Sequence, residues 1–262
     1  IAADGVSSRM ALALGIEKRD NRPMGVAVRT YFKTPLHDDD WMESHLELWD
    51  GERGNSNLLP GYGWVFPAGD GTANVGLGSV SSTASATKLD YRGLFKQWIA
   101  HTPEEWGFTE ENRVGPVRGA ALPMAFNRKP LYRKGMMLIG DAGGMVSPFN
   151  GEGIAYAMKA ARTAADIAAQ SLVRSNAYQR EKTLRRYPEI MAQELGGYFN
   201  LGRVFVRIIE RPEAMRFLTR YGLPRPALMK LTMKLLADSY EPHGGDNFDR
   251  LIAGLARIAP KS

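Results

Sequence analysis

The sequence predicts an α/β protein with an inserted antiparallel β-sheet (α+β insertion) and a helical C-terminal region. Three observations support this fold class. A short apolar run at 136–139 leads through a glycine-rich turn into an alanine-rich helix, residues 24–80 alternate in the manner of short strands, and helical spacing continues beyond Asn176. We therefore expect four segments, of which the first and third form one α/β domain: 1–20, 21–122 (the sheet), 123–175 and 176–262 (the helices).

Composition and charge narrow the classes of function. The 262 residues, 44% hydrophobic, can bury a substantial core in one or two domains. The net charge of +6 suits attraction to anionic lipid or phosphate ligands, and no recognition helix or aromatic-basic motif indicates nucleic acid. The absence of cysteine excludes disulfides and thiolate metal sites. We expect no metal site and surface or structural roles for the four histidines, which lack ligand spacing: His37, His45, His101 and His243.

The first segment carries an acidic turn, Asp4-Gly5, followed by a helical pattern through residue 14. Taken alone, this turn is explained equally well as a helix N-cap formed by Asp4 or Ser8. The N-terminal residues therefore predict a turn and a short helix, and leave a ligand role open.

The second segment alternates apolar and polar residues between turns rich in Asp, Gly and Asn, as an antiparallel sheet does. The predicted strands are 26–32, a short strand around Leu46 and Leu48, 62–66, 73–77 and 113–122. A helix over 89–101 should pack on this sheet through one apolar face, formed by Tyr91, Leu94, Phe95, Trp98 and Ile99.

One predicted strand lies in the sequence Pro60-Gly61-Tyr62-Gly63-Trp64-Val65-Phe66-Pro67. Because side chains alternate along a strand, Tyr62, Trp64 and Phe66 share one face, which we call the aromatic wall. Such a wall can bury an apolar ligand without hydrogen bonds. A lone Tyr-x-Trp-x-Phe pattern more often fills a protein core, so these residues alone leave both interpretations open.

The third segment contains the most informative stretch, the glycine-rich loop of residues 140–153. The apolar run before it predicts a central parallel strand, whose carboxyl end is the edge where ligands bind in open α/β sheets. Asp141 is thereby placed at a ligand edge, and the glycines let the backbone approach a ligand closely. The following helix begins near Gly153 and directs its unpaired N–H groups to the same place. The alternative is a strand-to-helix turn without a ligand.

Helical spacing predicts an alanine-rich helix over 154–172. Its core-facing stripe should be Ile154, Met158, Ala161, Ala165 and Ala168. Further helices are predicted at 177–195, 198–210, 213–220, 226–238 and 246–258. The helix at 226–238 is basic and amphipathic, so its apolar residues either face a core or dock on an anionic membrane with Lys230 and Lys234.

The glycine-rich loop resembles the second FAD fingerprint of flavoproteins with the p-hydroxybenzoate hydroxylase fold. This resemblance implies a Rossmann-like FAD-binding domain, with Asp141 at the ribityl and pyrophosphate groups and the 151–154 turn at the pyrimidine edge of the flavin. Asp4-Gly5 and Ser8 resemble the Asp-Gly motif of the same proteins, which is implicated in NAD(P)H contacts, although Ala2 and Ala11 replace its usual Gly and Arg. The implied cofactor-binding residues are Asp4, Gly5, Gly140, Asp141, Ala142, Gly143, Pro148, Gly151, Glu152, Gly153 and Ile154.

Residues 60–67, with Gly76 and Gly78 after them, resemble the Pro-x-Tyr-x-Trp-x-Phe-Pro region of the geranylgeranyl reductase family, and most of the chain is similar to that family's actinobacterial menaquinone reductases. The resemblance implies an FAD-dependent oxidoreductase that uses NAD(P)H or another reductant to saturate an isoprenoid double bond, with the menaquinone tail as the expected substrate. The implied substrate-binding residues are Tyr62, Trp64, Phe66 and Pro67. Hydride transfer to an unactivated alkene also needs a proton donor, for which we expect Tyr62. The alternatives are an FAD monooxygenase of the same fold and a non-catalytic lipid-binding protein.

Residues 1–262 contain no G-x-G-x-x-G motif, so we expect the strand and turn that receive the FAD pyrophosphate to precede this chain. A polyprenyl quinone resides in the bilayer, yet no stretch of the chain approaches the roughly 18 apolar residues of a membrane span. We therefore expect a cytoplasmic protein that binds peripherally to the anionic inner face of the cell membrane.

Overall fold

The protein is described by a computed structural model that covers residues 1–82, 89–241 and 244–260, so that the expectation for His243 lies outside the described residues. The strands are β1 (Met24–Lys33), β2 (Glu43–His45), β3 (Leu48–Trp49), β4 (Leu58–Leu59), β5 (Gly61–Pro67), β6 (Thr72–Ser81), β7 (Arg113–Pro123), β8 (Tyr132–Arg133) and β9 (Met136–Met137). The helices are α1 (Arg9–Ala13), α2 (Tyr91–Ile99), α3 (Ile154–Leu172), α4 (Ala177–Leu184), α5 (Arg186–Ile209), α6 (Pro212–Phe217), α7 (Pro226–Leu236) and α8 (Asn247–Ile258).

The predicted antiparallel sheet is confirmed: five strands pair in the order β2-β5-β6-β1-β7, and every pair is antiparallel. The single strand predicted around Leu46 and Leu48 is wrong. The chain forms two shorter strands there, because β2 pairs with β5 whereas β3 pairs with β4 in a separate ribbon. The direction of the chain must therefore change between His45 and Leu48.

Helix α2 covers one face of the five-stranded sheet. Phe95 on the helix joins Phe32, Val65 and Leu77 of the strands in one buried cluster. Gly63 belongs to the same face, because a Cβ at this position would lie 2.4 Å from the Trp98 ring. Side chains alternate along β5, so its even-numbered residues lie on the opposite face, away from α2.

The strand before the glycine-rich loop has neighbours of both directions. Strand β9 pairs with β8 antiparallel, and Leu138 forms a parallel bridge with Ala2. Within the described residues this replaces the predicted central parallel strand. Asp4 and Asp141 follow the two bridged residues, and the carboxyl ends of parallel segments meet at one edge. The two motifs therefore lie at the same edge.

Helix α3 begins at Ile154 as predicted, and Ala168 of the predicted stripe packs against the buried cluster, but most of the stripe is wrong. The buried residues are Tyr156, Ala160, Ala164, Ile167 and Ser171, whereas Ile154 and Met158 are 76% and 69% exposed and Ala165 is exposed as well. The helix packs against α4 and α5. It does so through Tyr156 and Ile167, whose burial removes more apolar area from water than burial of alanines would.

The predicted break between helices at 195–198 is also wrong. Helix α5 is continuous from Arg186 to Ile209. Gly197 lies within α5, where a Cβ would be 3.3 Å from the carbonyl oxygen of Ala256, so glycine serves the close approach of α8. The chain breaks instead at Arg185, because Pro188 has no N–H to donate to the carbonyl of the preceding turn.

Lys230 and Lys234, which one of the two interpretations assigned to an anionic membrane, form ion pairs within the protein. Lys230 Nζ lies 2.9 Å from Asp246, and Lys234 Nζ lies 2.6 Å from Asp249. These two acids form the capping box at the start of α8. The lysines therefore hold α8 against α7.

Helix α5 joins the two halves of the structure. Gly202 lies against Pro148 of the glycine-rich loop, where a Cβ would be 2.2 Å from its ring. At the end of α5, the Glu210 carboxylate accepts hydrogen bonds from the Ser81 hydroxyl at 2.7 Å and from the Ser82 N–H. The loop and the sheet are thus fixed to one helix.

Candidate cofactor and substrate site

The glycine-rich loop folds tightly at Gly140 and Gly144, two glycines that combine positive φ with little room for a side chain. Residues Gly140–Gly143 form a 3₁₀ turn. Gly140 has φ +55°, and a Cβ there would lie 3.0 Å from Ala157 on α3. Gly144 has φ +67°, and its Cβ would lie 2.5 Å from the backbone nitrogen of Asn127. Positive φ and lack of space together require glycine at both positions.

Asp141 presents a carboxylate that no described residue uses. Its side chain is half-buried, and no described N–H or O–H group donates a hydrogen bond to it. Burial raises its pKa. A Cβ on Gly153 would lie 3.4 Å from Asp141 Oδ1, so the two ends of the loop face each other. A partly desolvated carboxylate without a protein donor fits a ligand rich in hydroxyl groups, such as the ribityl chain of FAD.

The N-terminus of α3 supplies donors beside this carboxylate. Gly153 is the N-cap and makes no side-chain cap. The N–H groups of Gly153 and Ile154 donate to no acceptor in the described ranges. Glu152 caps the helix instead, since its Oε1 accepts a hydrogen bond from the Ala155 N–H at 2.6 Å. Two unpaired N–H groups at a helix start suit the carbonyl edge of a flavin pyrimidine ring.

Three of the predicted cofactor residues support the loop from inside. Ala142 is fully buried, and a Cβ on Gly143 would meet Met145 at 2.9 Å and Leu131 at 3.2 Å. Pro148 is buried under α5. These residues hold the loop in shape, and the surface available to a ligand belongs to Asp141 and the start of α3.

The Asp-Gly motif has the geometry of a helix cap. The Asp4 carboxylate accepts hydrogen bonds from the Ser8 hydroxyl at 2.8 Å and the Met10 N–H at 3.0 Å. Desolvation acts to raise the pKa of Asp4, but these hydrogen bonds outweigh it and lower the pKa. Gly5 has φ +73° with open space around it. A ligand role for Asp4 and Gly5 stays a prediction, supported by their position at the same edge as Asp141.

The aromatic wall lies on the sheet face opposite α2. The ring centres of Tyr62 and Trp64 are 5.8 Å apart, and those of Trp64 and Phe66 are 6.0 Å apart. All three rings are half-buried, so they line a surface and do not fill the core. Pro67 alternates to the other face of β5, and the structure does not bring it to the wall.

Strand β6 provides the floor beside the wall. Tyr62, Trp64 and Phe66 pair with Gly78, Gly76 and Asn74, respectively. A Cβ on Gly76 would lie 2.3 Å from the Trp64 ring, so the indole lies directly over this glycine. The Trp64 Nε1–H donates to Asn74 Oδ1 at 3.0 Å, which fixes the ring. The role of Asn74 was not predicted from the sequence. It follows from the register between β5 and β6, which brings Asn74 beside the aromatic wall.

The wall and the loop meet at Asn150. The Tyr62 hydroxyl donates a hydrogen bond to the Asn150 carbonyl oxygen at 2.5 Å. On the neighbouring residue, a Cβ on Gly151 would lie 3.3 Å from Leu122 of β7. Asn150 and Leu122 were not predicted, because this contact joins residues 88 positions apart and leaves no local pattern.

Tyr62 keeps its proton in this environment. Burial raises its pKa above the ordinary value of 10.0, and its O–H is directed at Asn150. The observed contact makes Tyr62 a link between the aromatic wall and the glycine-rich loop. Its role as proton donor stays a prediction.

Sequence comparison identifies menaquinone reductases and digeranylgeranylglycerophospholipid reductases as relatives. The chain is 34% identical over 241 residues to the menaquinone reductase of Mycobacterium tuberculosis, covering 91% of this chain and 55% of that protein. It is 30% identical to the menaquinone reductase of Mycolicibacterium smegmatis, covering 98% and 60%. It is also 30% identical to digeranylgeranylglycerophospholipid reductase 1 of Methanosphaera stadtmanae, covering 71% and 43%. The chain thus spans little more than half the length of the menaquinone reductases it matches, and no family model matches it.

Structural comparison identifies solved structures that share the fold of this chain. A geranylgeranyl bacteriochlorophyll reductase-like protein from Thermoplasma acidophilum matches with a TM-score of 0.64 and 19% identity, over 89% of this chain and 53% of that one. A flavoprotein/dehydrogenase from Cytophaga hutchinsonii matches with a TM-score of 0.62 and 18% identity, over 98% and 60%. Motifs, fold and relatives agree: this chain belongs to the geranylgeranyl reductase family of FAD-dependent oxidoreductases.

Proposed function

We propose that this protein is an FAD-dependent reductase that saturates an isoprenoid double bond, with the prenyl tail of menaquinone as its substrate and NAD(P)H or another reductant as its electron donor. In this proposal residues 1–20 and 123–175 bind the cofactor, 21–122 bind the substrate, and 176–262 support both. The observation that carries it is the hydrogen bond from Tyr62 to Asn150, because it joins an apolar wall to a loop with cofactor-binding chemistry.

The residues around the glycine-rich loop have the chemistry to hold FAD. The Asp141 carboxylate would accept hydrogen bonds from ribityl or ribose hydroxyls, and the N–H groups of Gly153 and Ile154 would donate to the pyrimidine carbonyls. When bound, FAD supplies the hydride. The unpartnered carboxylate of Asp141 counts against a lipid-binding protein without a cofactor, since such a protein gains nothing from desolvating a charge.

The aromatic wall binds the prenyl chain in this proposal. An isoprenoid has no polar group to pair, so burial supplies its affinity at about 0.8 kcal/mol for each buried CH₂. Trp64 is held flat by Asn74 and Gly76, which leaves a smooth surface for a branched chain. Tyr62 stands at the end of the wall nearest the loop, where a proton for the second alkene carbon is needed.

Membrane association is proposed for the corner between α6 and α7. Lys230 and Lys234 are engaged by α8, but Phe217, Tyr221 and Leu228 are 62%, 42% and 42% exposed at this corner. The neighbouring arginines are exposed as well: Arg216, Arg220 and Arg225. Such a mixture suits the anionic, cytoplasmic face of a cell membrane. In the described ranges, no helix has the length and apolarity needed to cross a bilayer.

The two half-reactions provide the test. The full-length flavoprotein is reduced anaerobically with NADPH and mixed with menaquinone, digeranylgeranylglycerophospholipid or geranylgeranyl diphosphate, and mass spectrometry detects a product heavier by two hydrogens. We expect Trp64→Ala to lose prenyl reduction while NADPH still reduces the flavin, because in this proposal Trp64 touches the prenyl chain and not the flavin. Trp41→Ala, at a tryptophan that is 75% exposed, is the matched control. Absence of a saturated product from every substrate, or equal loss of both half-reactions in folded Trp64→Ala protein, would refute the proposal.

A further inference from the structure

Arg22 is a buried charge without a partner among the residues that the structure describes. The residue lies two positions before β1 and is only 1% exposed. Its Nε and Nη2 atoms find no hydrogen-bond acceptor in residues 1–82, 89–241 and 244–260. Burying an unpaired guanidinium is costly, and proteins normally pair such groups or keep them for a ligand.

Three segments that are far apart in sequence bring further cations to Arg22. The turn at 19–22 packs on the loop at 126–129, where the Arg19 N–H donates to the Asn127 carbonyl oxygen at 2.8 Å. In that loop Phe126 contacts Phe199 of α5, with ring centres 4.9 Å apart. Residues four and eight positions beyond Phe199 lie on the same face of α5. These residues are Arg203 and Arg207.

The four guanidinium groups repel one another. Burial, followed by repulsion from Arg203, Arg19 and Arg207, lowers the pKa of Arg22 to about 10. Burial, followed by repulsion from Arg207 and Arg19, lowers the pKa of Arg203. Lys129 stands at the edge of this group, and burial together with repulsion from the arginines lowers its pKa as well.

No carboxylate of the described residues offsets these charges. None of the four arginines forms an ion pair with a described Asp or Glu, and no acid contributes to the pKa of Arg22 or Arg203. The polar groups nearby are neutral amides. Arg203 donates to Asn200 Oδ1 at 3.3 Å, and the buried Asn127 Oδ1 has no donor.

We propose that Arg19, Arg22, Arg203 and Arg207, which we call the arginine cluster, form a binding site for a phosphate-class anion, either a phosphate monoester or a diphosphate. Guanidinium groups match phosphate oxygens with paired N–H donors. Several clustered positive charges favour a multivalent anion over chloride. None of these four arginines is among the residues assigned to hydride transfer, and an uncharged prenyl quinone has no group that could bind them. The anion belongs either to a soluble phosphate compound or to a phospholipid headgroup.

Inorganic pyrophosphate is the first probe. The full-length flavoprotein is titrated in a low-chloride buffer by calorimetry and thermal unfolding, while flavin absorbance confirms that FAD stays bound. We expect saturable binding, a higher melting temperature, and at least a tenfold loss of affinity in Arg22→Gln and Arg203→Gln. Arg92→Gln removes an exposed arginine on α2 and is the matched control, which should bind as the wild type does.

Vesicles separate the two sources of phosphate. If the anion is a lipid headgroup, phosphatidylglycerol vesicles should sediment the wild-type protein, pyrophosphate should compete, and Arg203→Gln should sediment less. If it is a soluble compound, pyrophosphate should bind without affecting sedimentation. If the arginine variants change neither the affinity for pyrophosphate nor the sedimentation with vesicles, the proposal is overturned.

Stability without the anion gives an independent readout. If an arginine merely supports the fold, replacing it should destabilise the protein. Arg22 has no partner to lose, so Arg22→Gln should melt at the same or a higher temperature in the absence of phosphate and should gain less from pyrophosphate. If Arg22→Gln melts at a lower temperature than the wild type, and the wild type does not respond to pyrophosphate, then a carboxylate from elsewhere satisfies the arginine cluster in place of an anion. If Arg22→Gln does not fold, the half-buried Arg203→Gln provides the affinity test alone.

Discussion

Gly76→Ala tests the geometry of the aromatic wall. A Cβ at this position would lie 2.3 Å from Trp64 Cζ2 and 2.6 Å from the Val28 carbonyl oxygen. Ordinary contact distances begin at 3.4 Å, so both atoms are too close by 0.8 Å or more. The Val28 oxygen is held in the β1–β6 ladder. Of the two groups, the indole ring is the one that can move, whereas the overlap with the Val28 oxygen remains.

The expected cost follows from these contacts. Overpacking of this kind costs about 1–3 kcal/mol, and displacement of the indole adds about 1 kcal/mol for its lost hydrogen bond to Asn74. We expect Gly76→Ala to lower the free energy of unfolding by about 2–4 kcal/mol, which for a protein of this size is a fall in melting temperature of roughly 5–15 °C. Gly78→Ala is the matched control, because its Cβ would meet Val26 O at 3.0 Å and Ala27 Cβ at 3.1 Å. It should cost less than half as much.

Urea and thermal unfolding of a double-mutant cycle measure the role of the ring. In the Trp64→Ala background the ring overlap is absent, so Gly76→Ala should cost at least about 1 kcal/mol less than in the wild type. Prenyl reduction by Gly76→Ala should fall even where the protein remains folded. If Gly76→Ala costs the same in both backgrounds, the indole does not lie over Gly76 and the described wall is incorrect.

Three further predictions concern the loop, the junction and the C-terminal helices. Burial raises the pKa of Asp141 and makes its ionised form the unfavourable one, so Asp141→Asn should stabilise the flavin-free protein above the ordinary Asp pKa near 4. Flavin retention on dialysis should weaken by about 1.5–3 kcal/mol. Unchanged retention would contradict the cofactor role of Asp141. Tyr62→Phe leaves the Asn150 carbonyl unpaired and should lower the free energy of unfolding by about 1–3 kcal/mol. If Tyr62 also donates the proton, the rate of prenyl reduction should fall by a factor of about 10²–10⁴. A smaller loss of rate would limit Tyr62 to positioning. The hydrogen bond from Lys234 lowers the pKa of Asp249. This pair therefore adds stability above the ordinary Asp pKa near 4, and the added stability is lost as the pH falls further. Lys234→Met should flatten this pH dependence in melting curves from pH 3 to 7, and an unchanged profile would mean that the pair does not form.

The sequence by itself determined the local elements and the family. Strand alternation placed Tyr62, Trp64 and Phe66 on one face, and the structure confirms it. The glycine-rich loop and the start of α3 at Ile154 also followed from the sequence. These features depend on residues a few positions apart, because the periods of strands and helices and the space around a glycine are local properties.

Only the tertiary structure decided which surfaces meet. The contact between Tyr62 and Asn150 joins residues 88 positions apart, and Lys234 appeared to be free for lipid until α8 placed Asp249 beside it. The stripe of α3 was assigned to the wrong side for the same reason. Amphipathic spacing shows that a helix has two faces. Which face is buried depends on the neighbouring element, because packing is favoured where more apolar area is covered. A buried guanidinium such as that of Arg22 leaves no pattern in sequence at all, since its environment is built by segments that only the fold brings together.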